Sequence, residues 1–278
     1  MESGNHDNTD KRNATCESAF QHSWLVEQKH DMVKKLISIL SITVTAYGIL
    51  YAARGQFDGN YKRGNQVFYV RMDNPGTAPV NYSTSAVVWA AEGSGNSWVS
   101  GKFEQALSVN GSGGLVTAER TAFQVQNYTI LAWIRPGASQ SGRHVLIVQA
   151  QVNDWTFELN NDFLRMTETV SGVSKSVQAL TKISSSTWTC VAGRRINNDP
   201  KGYTLFQNGV KLATAAPTNN LSPFFDENDD VEIGCNAGGA NLQFIGRIDS
   251  MMMYNIALTD GEIAKQCGRG VQVLTEDR

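Results

Sequence analysis

The sequence predicts an all-β protein, a two-sheet antiparallel β-sandwich of the jelly-roll type, preceded by one hydrophobic N-terminal helix. Three observations carry that expectation. From Gln66 to Cys267, short apolar runs recur with turn residues between them, the pattern of half-buried strands at even spacing. Asn208-Gly209 sits between two such runs, and Asn-Gly is the strongest short-range hairpin signal. No segment repeats at a fixed period along the 278 residues. A propeller or solenoid is therefore not expected, and a sandwich of this size folds as one unit.

Residues 1–33 are polar and charged without an apolar period, and read as a tail. Residues 34–54 form the hydrophobic segment. Leu36–Ala53 holds 18 residues without a charge, with Lys34-Lys35 before it and Arg54 after it. That is near the lower limit for a helix crossing a bilayer core of about 30 Å. Three readings stand side by side. One is a signal-anchor with its N-terminus in the cytoplasm. Another is a secretory signal peptide starting at Met32, with cleavage after Ala46 or Ala52. The third is a buried core helix. In the first two readings everything after residue 54 lies outside the cytoplasm, the chain meeting the membrane through residues 36–53.

Gly55–Asn65 is a polar linker, and residues 66–268 carry the sandwich, with 269–278 a C-terminal tail. Strands are expected at Val67–Met72, Ala106–Val109, Leu115–Ala118, Tyr128–Ile134, Val145–Val152, Trp155–Leu159, Phe163–Thr169, Ser174–Leu180 and Trp188–Ala192. Tyr203–Phe206 and Val210–Ala213 flank the Asn-Gly turn. At the end, Val231–Ile233 alternates around Glu232, and Phe244–Tyr254 is a long apolar strand containing Met251–Met253. Thr259 followed by Glu262 has the form of a capping box, starting a helix at Asp260.

The charge balance is near neutral, 24 basic against 26 acidic residues, with no basic stripe, so no nucleic-acid partner is expected. Cys16, Cys190, Cys235 and Cys267 match no zinc spacing. In an exported chain a Cys235–Cys267 bridge would tie the penultimate strand to the closing helix; otherwise the thiols are free. Three of the four His residues lie in the tail, leaving only His144 in the sandwich, which argues against a His-based triad. Sequons begin at Asn81, Asn110, Asn127 and Asn220, which is permissive of export and no more.

Four segments resemble the laminin-G-like domains of the concanavalin A-like lectin/glucanase superfamily, in that family's order. They are Ser100–Val116 (SGKFEQALSVNGSGGLV), Tyr128–Pro136 (YTILAWIRP), Thr187–Gly193 with Tyr203–Leu212, and Gly246–Ile263 (GRIDSMMMYNIALTDGEI). The resemblance implies a concanavalin A-like sandwich over roughly residues 66–268. In that frame Trp133 and Trp188 are expected to anchor the core between the sheets. Asp249 is expected to accept backbone hydrogen bonds, with Arg247 as a possible ion partner, and Leu258 and Ile263 to seat the helix.

Glycoside hydrolases of the superfamily place paired glutamates on a strand, and Glu227, Asp229 and Glu232 share the spacing of one such group. Asn228 and Asp230 stand where apolar residues are expected, and an acidic turn is the plainer reading. Relatives also hold calcium with Asp and Asn oxygens, which makes Asp226, Asp229, Asp230, Asn236 and Asn241 a candidate Ca2+ set. Trp98 and Trp155, in polar contexts taken as exposed loops, are the candidate ligand-binding aromatics. The expected function is non-catalytic binding or adhesion, recognising a glycan or a protein surface. The alternatives are a structural component of a virion or cell envelope, and a β-glucan-acting hydrolase.

Overall fold

Side chains alternate between faces along a strand, so a series of short strands with one apolar face must stack two sheets to bury it. The computed structural model describes residues 57–73, 79–118, 121–138, 141–149, 155–170, 173–199, 202–215, 230–235 and 242–268, with residues 32, 34 and 35. The chain divides into two units, Met1–Arg54 and Gly55–Arg278. In the first, Met32, Lys34 and Lys35 are helical. Leu36–Ala53 lies outside the described residues, among which no helix is long and apolar enough to cross a membrane.

The second unit holds β1 (Gln66–Arg71), β2 (Ala90–Gly93), β3 (Asn96–Ser100), β4 (Gln105–Asn110), β5 (Gly113–Thr117) and β6 (Tyr128–Pro136). They are followed by β7 (Arg143–Gln149), β8 (Trp155–Asn160), β9 (Phe163–Val170), β10 (Val173–Lys182) and β11 (Thr189–Arg195). The last strands are β12 (Tyr203–Gln207), β13 (Val210–Lys211), β14 (Val231–Ile233) and β15 (Ile245–Tyr254), and the closing helix is Asp260–Gln266. One sheet has eight strands, in the order β13-β12-β11-β6-β15-β4-β3 with β1 also on β15. The other has seven, in the order β10-β9-β8-β7-β14-β5-β2. We call them the eight-stranded and seven-stranded sheets.

The expected strands are present, and two more, β2 and β3, join them. Asn208 and Gly209 both take positive φ, 50° and 75°, as the hairpin between β12 and β13 requires. Asn110-Gly111 does not make a hairpin: β4 and β5 lie in different sheets, so this turn crosses the sandwich.

β15 organises the eight-stranded sheet. Its first half pairs with β4 and its second half with β1, while β6 runs along its other edge. The register shifts between Ile248 and Met251, where the partners change. Asp249 sits at that irregularity, fully buried. Its Oδ2 accepts the N–H groups of Lys102 (2.6 Å) and Phe103 (3.1 Å), and its carbonyl accepts the N–H of Met72 (2.9 Å). The expected backbone role is thus present. Arg247 does not supply the anticipated pairing and donates instead to the Ser100 carbonyl at 3.2 Å.

The core between the sheets is aromatic at one end: Phe68 meets Trp89 edge-on at 5.2 Å, and Tyr128 tilts onto Trp155 at 5.7 Å. Met251 and Met253 face this core, while Met252 points the other way, onto the outer face of the eight-stranded sheet. That face forms a second core with Phe57, Tyr69, Trp133, Leu258 and Ile263, roofed by the first residues of the unit and by the closing helix. Trp133 and Trp188 therefore do not anchor the space between the sheets. Trp133 lies in the outer cluster, since its alternation puts Ala132 and Ile134 inward, and Trp188 is half-buried before β11.

Leu258 and Ile263 seat the helix as expected, and the capping box of Thr259 and Glu262 is formed in both directions. The disulfide is the main correction. Cys267 is bonded to Cys190 of β11, with Cα atoms 5.7 Å apart, and Cys235 is a buried free thiol. Cys235 follows β14 in the seven-stranded sheet, whereas Cys267 rests on the far side of the other sheet. Sheets stack about 10 Å apart, and a bridge needs Cα atoms within about 7 Å.

Candidate functional site

Trp155, expected on an exposed loop, is only 2% exposed. It opens β8 with its ring against Tyr128 and Phe123, and its Nε1 donates to Gln149 Oε1 at 3.0 Å. Its polar neighbour Thr156 points to the opposite face of the strand, so a polar context here does not mean an exposed ring. Trp98 lies on the edge strand β3 opposite Leu107, half-buried and packed against the inter-sheet core. Neither forms an exposed stacking platform.

Of the calcium set, Asp230 is half-buried immediately before β14. Asp226, Asp229, Asn236 and Asn241 lie outside the described residues, as does Glu227. Glu232 is described, and the fold brings it to Glu92 of β2 and to Cys235, with ligand atoms all within 4.8 Å of one another. A Cβ on Gly114 would stand 2.2 Å from the Cys235 Sγ, so the glycine is what admits the thiol over β5. Burial, then the Glu232 and Glu92 carboxylates, push the thiol pKa far up. Held protonated, it is a poor nucleophile. His144 is structural as well, its ring nitrogens against the carbonyls of Gln243 (2.7 Å) and Ser141 (2.9 Å). Asn81 is likewise committed, accepting from the N–H of Tyr69 and donating to the carbonyl of Val87.

The two outer faces of the sandwich differ in chemistry. That of the eight-stranded sheet is apolar and covered by the chain itself. That of the seven-stranded sheet is polar at its β7–β10 end. Trp155, Phe157 and Leu159 face the core, so Thr156, Glu158 and Asn160 face outward; on β9, Leu164 and Met166 put Phe163, Arg165 and Thr167 outward. A tight turn fixes the register, with Asn161 and Asp162 at φ 51° and 70°. It sets Asn160 opposite Phe163, Glu158 opposite Arg165 and Thr156 opposite Thr167. The rows continue on β10, where Ser176 faces Thr167 and Gln178 faces Arg165.

Two features make this a built surface. Glu158 is fully buried and held from both sides: Arg143 Nε donates to its Oε2 at 2.9 Å and Arg165 Nε to its Oε1 at 2.5 Å. Such a pairing commits both Glu158 oxygens to arginine donors. Next to it, the Thr156 and Thr167 hydroxyls are buried with no hydrogen-bond partner among the described residues. Buried polar atoms are nearly always paired, so two orphan hydroxyls on neighbouring strands mark a place that a ligand or water completes. Phe163 is half-buried on the same face, with Lys182 Nζ 5.3 Å from its ring centroid. None of these residues was singled out from the sequence. The signal was present in the outward positions of β8 and β9, which are all polar apart from Phe163.

A family model described as laminin G of the concanavalin A-like lectin/glucanases superfamily matches residues 110–264. The chain belongs to this superfamily. Among solved structures, this superfamily member is similar to domain 4 of AbnA, an extracellular GH43 arabinanase from Geobacillus stearothermophilus in complex with arabinotriose. The identity is 19%, over 73% of this chain and 98% of that one, with a TM-score of 0.57. The binding domain of Paraclostridial mosquitocidal protein 1 is 20% identical over 74% of this chain and 52% of that chain, with a TM-score of 0.60. The binding domain of botulinum neurotoxin DC, solved with rat synaptotagmin II, is 13% identical over 76% of this chain and 52% of that one, at 0.57. The chain thus spans about half of each toxin domain, and these likenesses show the shared sandwich. No curated protein matches the sequence.

Proposed function

We propose that this sandwich is a non-catalytic glycan-binding domain whose ligand seat is the outer face of the seven-stranded sheet, around β8 and β9. The observation that carries this reading is the pair of buried hydroxyls, Thr156 and Thr167, partnerless among the described residues and flanked by the Arg143–Glu158–Arg165 network. Sugars are recognised by dense, oriented hydroxyl, amide and guanidinium groups with an aromatic ring at hand. Asn160, Gln178 and Phe163 complete that set. Arabinotriose bound to a domain of the same fold is consistent with it. The Cys190–Cys267 disulfide supports an exported domain, carried beyond the membrane by Leu36–Ala53 as anchor or signal.

The test is a glycan array probed with the purified protein, comparing wild type with the Thr156→Val, Thr167→Val double variant. Wild type binds a restricted set of glycans and the variant loses it. Uniform absence of binding, or binding unchanged in the variant, overturns the reading. Release of reducing ends from the same glycans, abolished by Glu232→Gln, would indicate a hydrolase instead.

A further inference from the structure

We infer that the sugar taken at this face carries a carboxylate, and that Arg143 and Arg165 are the residues that bind it. This rests on the reading of the face as a glycan seat and names the chemical class of its ligand.

Glu158 is fully buried and placed between two guanidinium groups, so the network carries two positive charges against one negative. The Arg143 side chain is 38% exposed and that of Arg165 19%, so both reach the surface from a fixed base. Arg143 commits only Nε to Glu158, and Arg165 commits Nε and Nη2. Among the described residues, both Nη groups of Arg143 and the Nη1 of Arg165 are without a bonded acceptor. Each guanidinium presents five N–H donors in a rigid fork that matches a carboxylate, which accepts at two oxygens.

The position of the hydroxyls decides between a carboxylate-bearing sugar and a bare anion. Thr156 and Thr167 sit one outward position along their strands from Glu158 and Arg165. Successive outward side chains on a strand are about 6.6 Å apart, and cross-strand neighbours about 5 Å. Those spacings are the size of one pyranose ring. Thr156 is 2% exposed, and its Oγ1 has no partner among the described residues. A ring whose carboxylate meets the guanidinium row lays its hydroxyls over the threonine row, where an inorganic anion has nothing to offer. Holding the arginines through a buried glutamate also limits the side-chain entropy lost on binding.

Two sources share this chemistry, the uronic acids and the sialic acids, and the test separates them. Binding of the full chain is measured by calorimetry to trigalacturonate and to its methyl ester, and to sialyllactose and lactose. The expected result is at least tenfold preference for the acid in one pair, weakening as salt rises. Arg143→Gln removes that preference while keeping binding to the neutral member within about twofold. Thr156→Val weakens both members about tenfold with an unchanged or raised Tm, since the hydroxyl it removes makes no bond among the described residues.

Equal affinity for acid and neutral members overturns the inference and leaves the glycan reading standing. No binding to any of the four probes, with no hits on the array, overturns both. Acid preference that survives in Arg143→Gln places the carboxylate elsewhere on the protein, and binding unchanged in Thr156→Val removes the threonine row from the seat; either result overturns the site.

Discussion

Cys267, at the end of the closing helix, is bonded to Cys190 of the strand beneath it. The bridge closes 77 residues of chain, for which loop-closure entropy predicts a contribution of about 4.5 kcal/mol, against about 2–4 kcal/mol typical of disulfides. A reductant should therefore lower the Tm of the wild type and leave the Cys190→Ser, Cys267→Ser double variant unmoved. Cys235→Ala should keep the full reductant effect. Loss of that effect in Cys235→Ala would show that the pairing is different.

Asp249 gathers two backbone N–H groups from the turn between β3 and β4 at the point where β15 changes partners. Burial raises its carboxyl pKa, opposed by the bonds from Phe103 and Lys102. Asp249→Ala leaves both N–H groups buried without an acceptor, which costs about 2–4 kcal/mol in total. Asp249→Asn keeps an acceptor oxygen and should cost less than half as much in urea denaturation. Equal losses in the two variants would refute the backbone role.

Arg195 is fully buried and its guanidinium pairs with Glu168, which also accepts from the Tyr128 hydroxyl at 3.1 Å. Removing one partner strands the other charge inside the core. Glu168→Leu should cost about 3–5 kcal/mol. Adding Arg195→Met should restore part of that loss, so the double variant is more stable than Glu168→Leu alone. A double variant less stable than the single would contradict the pairing.

Glu262 joins the helix to the start of the domain. Partial burial alone would raise its carboxyl pKa, but bonds from Lys62, Tyr61 and Thr259 bring it down to about 2. Because the folded value is depressed, the stabilisation is present above the unfolded value of about 4.3 and disappears as pH falls toward 2. Thermal melts should show Tm falling across that window. Glu262→Gln should start lower at pH 7 and show a shallower fall. A parallel pair of curves would sink the assignment.

Trp155→Ala removes a core ring, not a ligand contact. It should cost about 3–5 kcal/mol and lose near-UV circular dichroism, so any drop in glycan binding would follow unfolding. Trp98→Ala, at a half-buried edge, should cost less. If Trp155→Ala left stability untouched and abolished binding, the ring's place in the core would be wrong.

Much of this architecture was legible because local and global patterns agree. The alternation around Glu232, the unbroken apolar face of β15 and the Thr259/Glu262 spacing each name one structure. β2 and β3 escaped because Ala90, Ala91, Gly93, Asn96 and Ser97 carry little β signal; pairing to β5 and β4 makes them strands. Cysteine pairing depends on which sheet each residue joins, and no spacing encodes that. The polar face was half legible. Once Asn161-Asp162 is taken as a two-residue turn, counting outward pairs Glu158 with Arg165 and Thr156 with Thr167. Arg143, which arrives from the neighbouring strand, enters only through the fold.

Asp58 near the start of the domain donates its N–H to the Gln266 side chain at the end of the helix, at 2.8 Å. The two ends of this sandwich therefore emerge side by side. A domain built this way can be spliced whole between adjacent residues of a host loop, or permuted by joining its ends with a short bridge, without disturbing the strands. It is, in effect, a transplantable cassette.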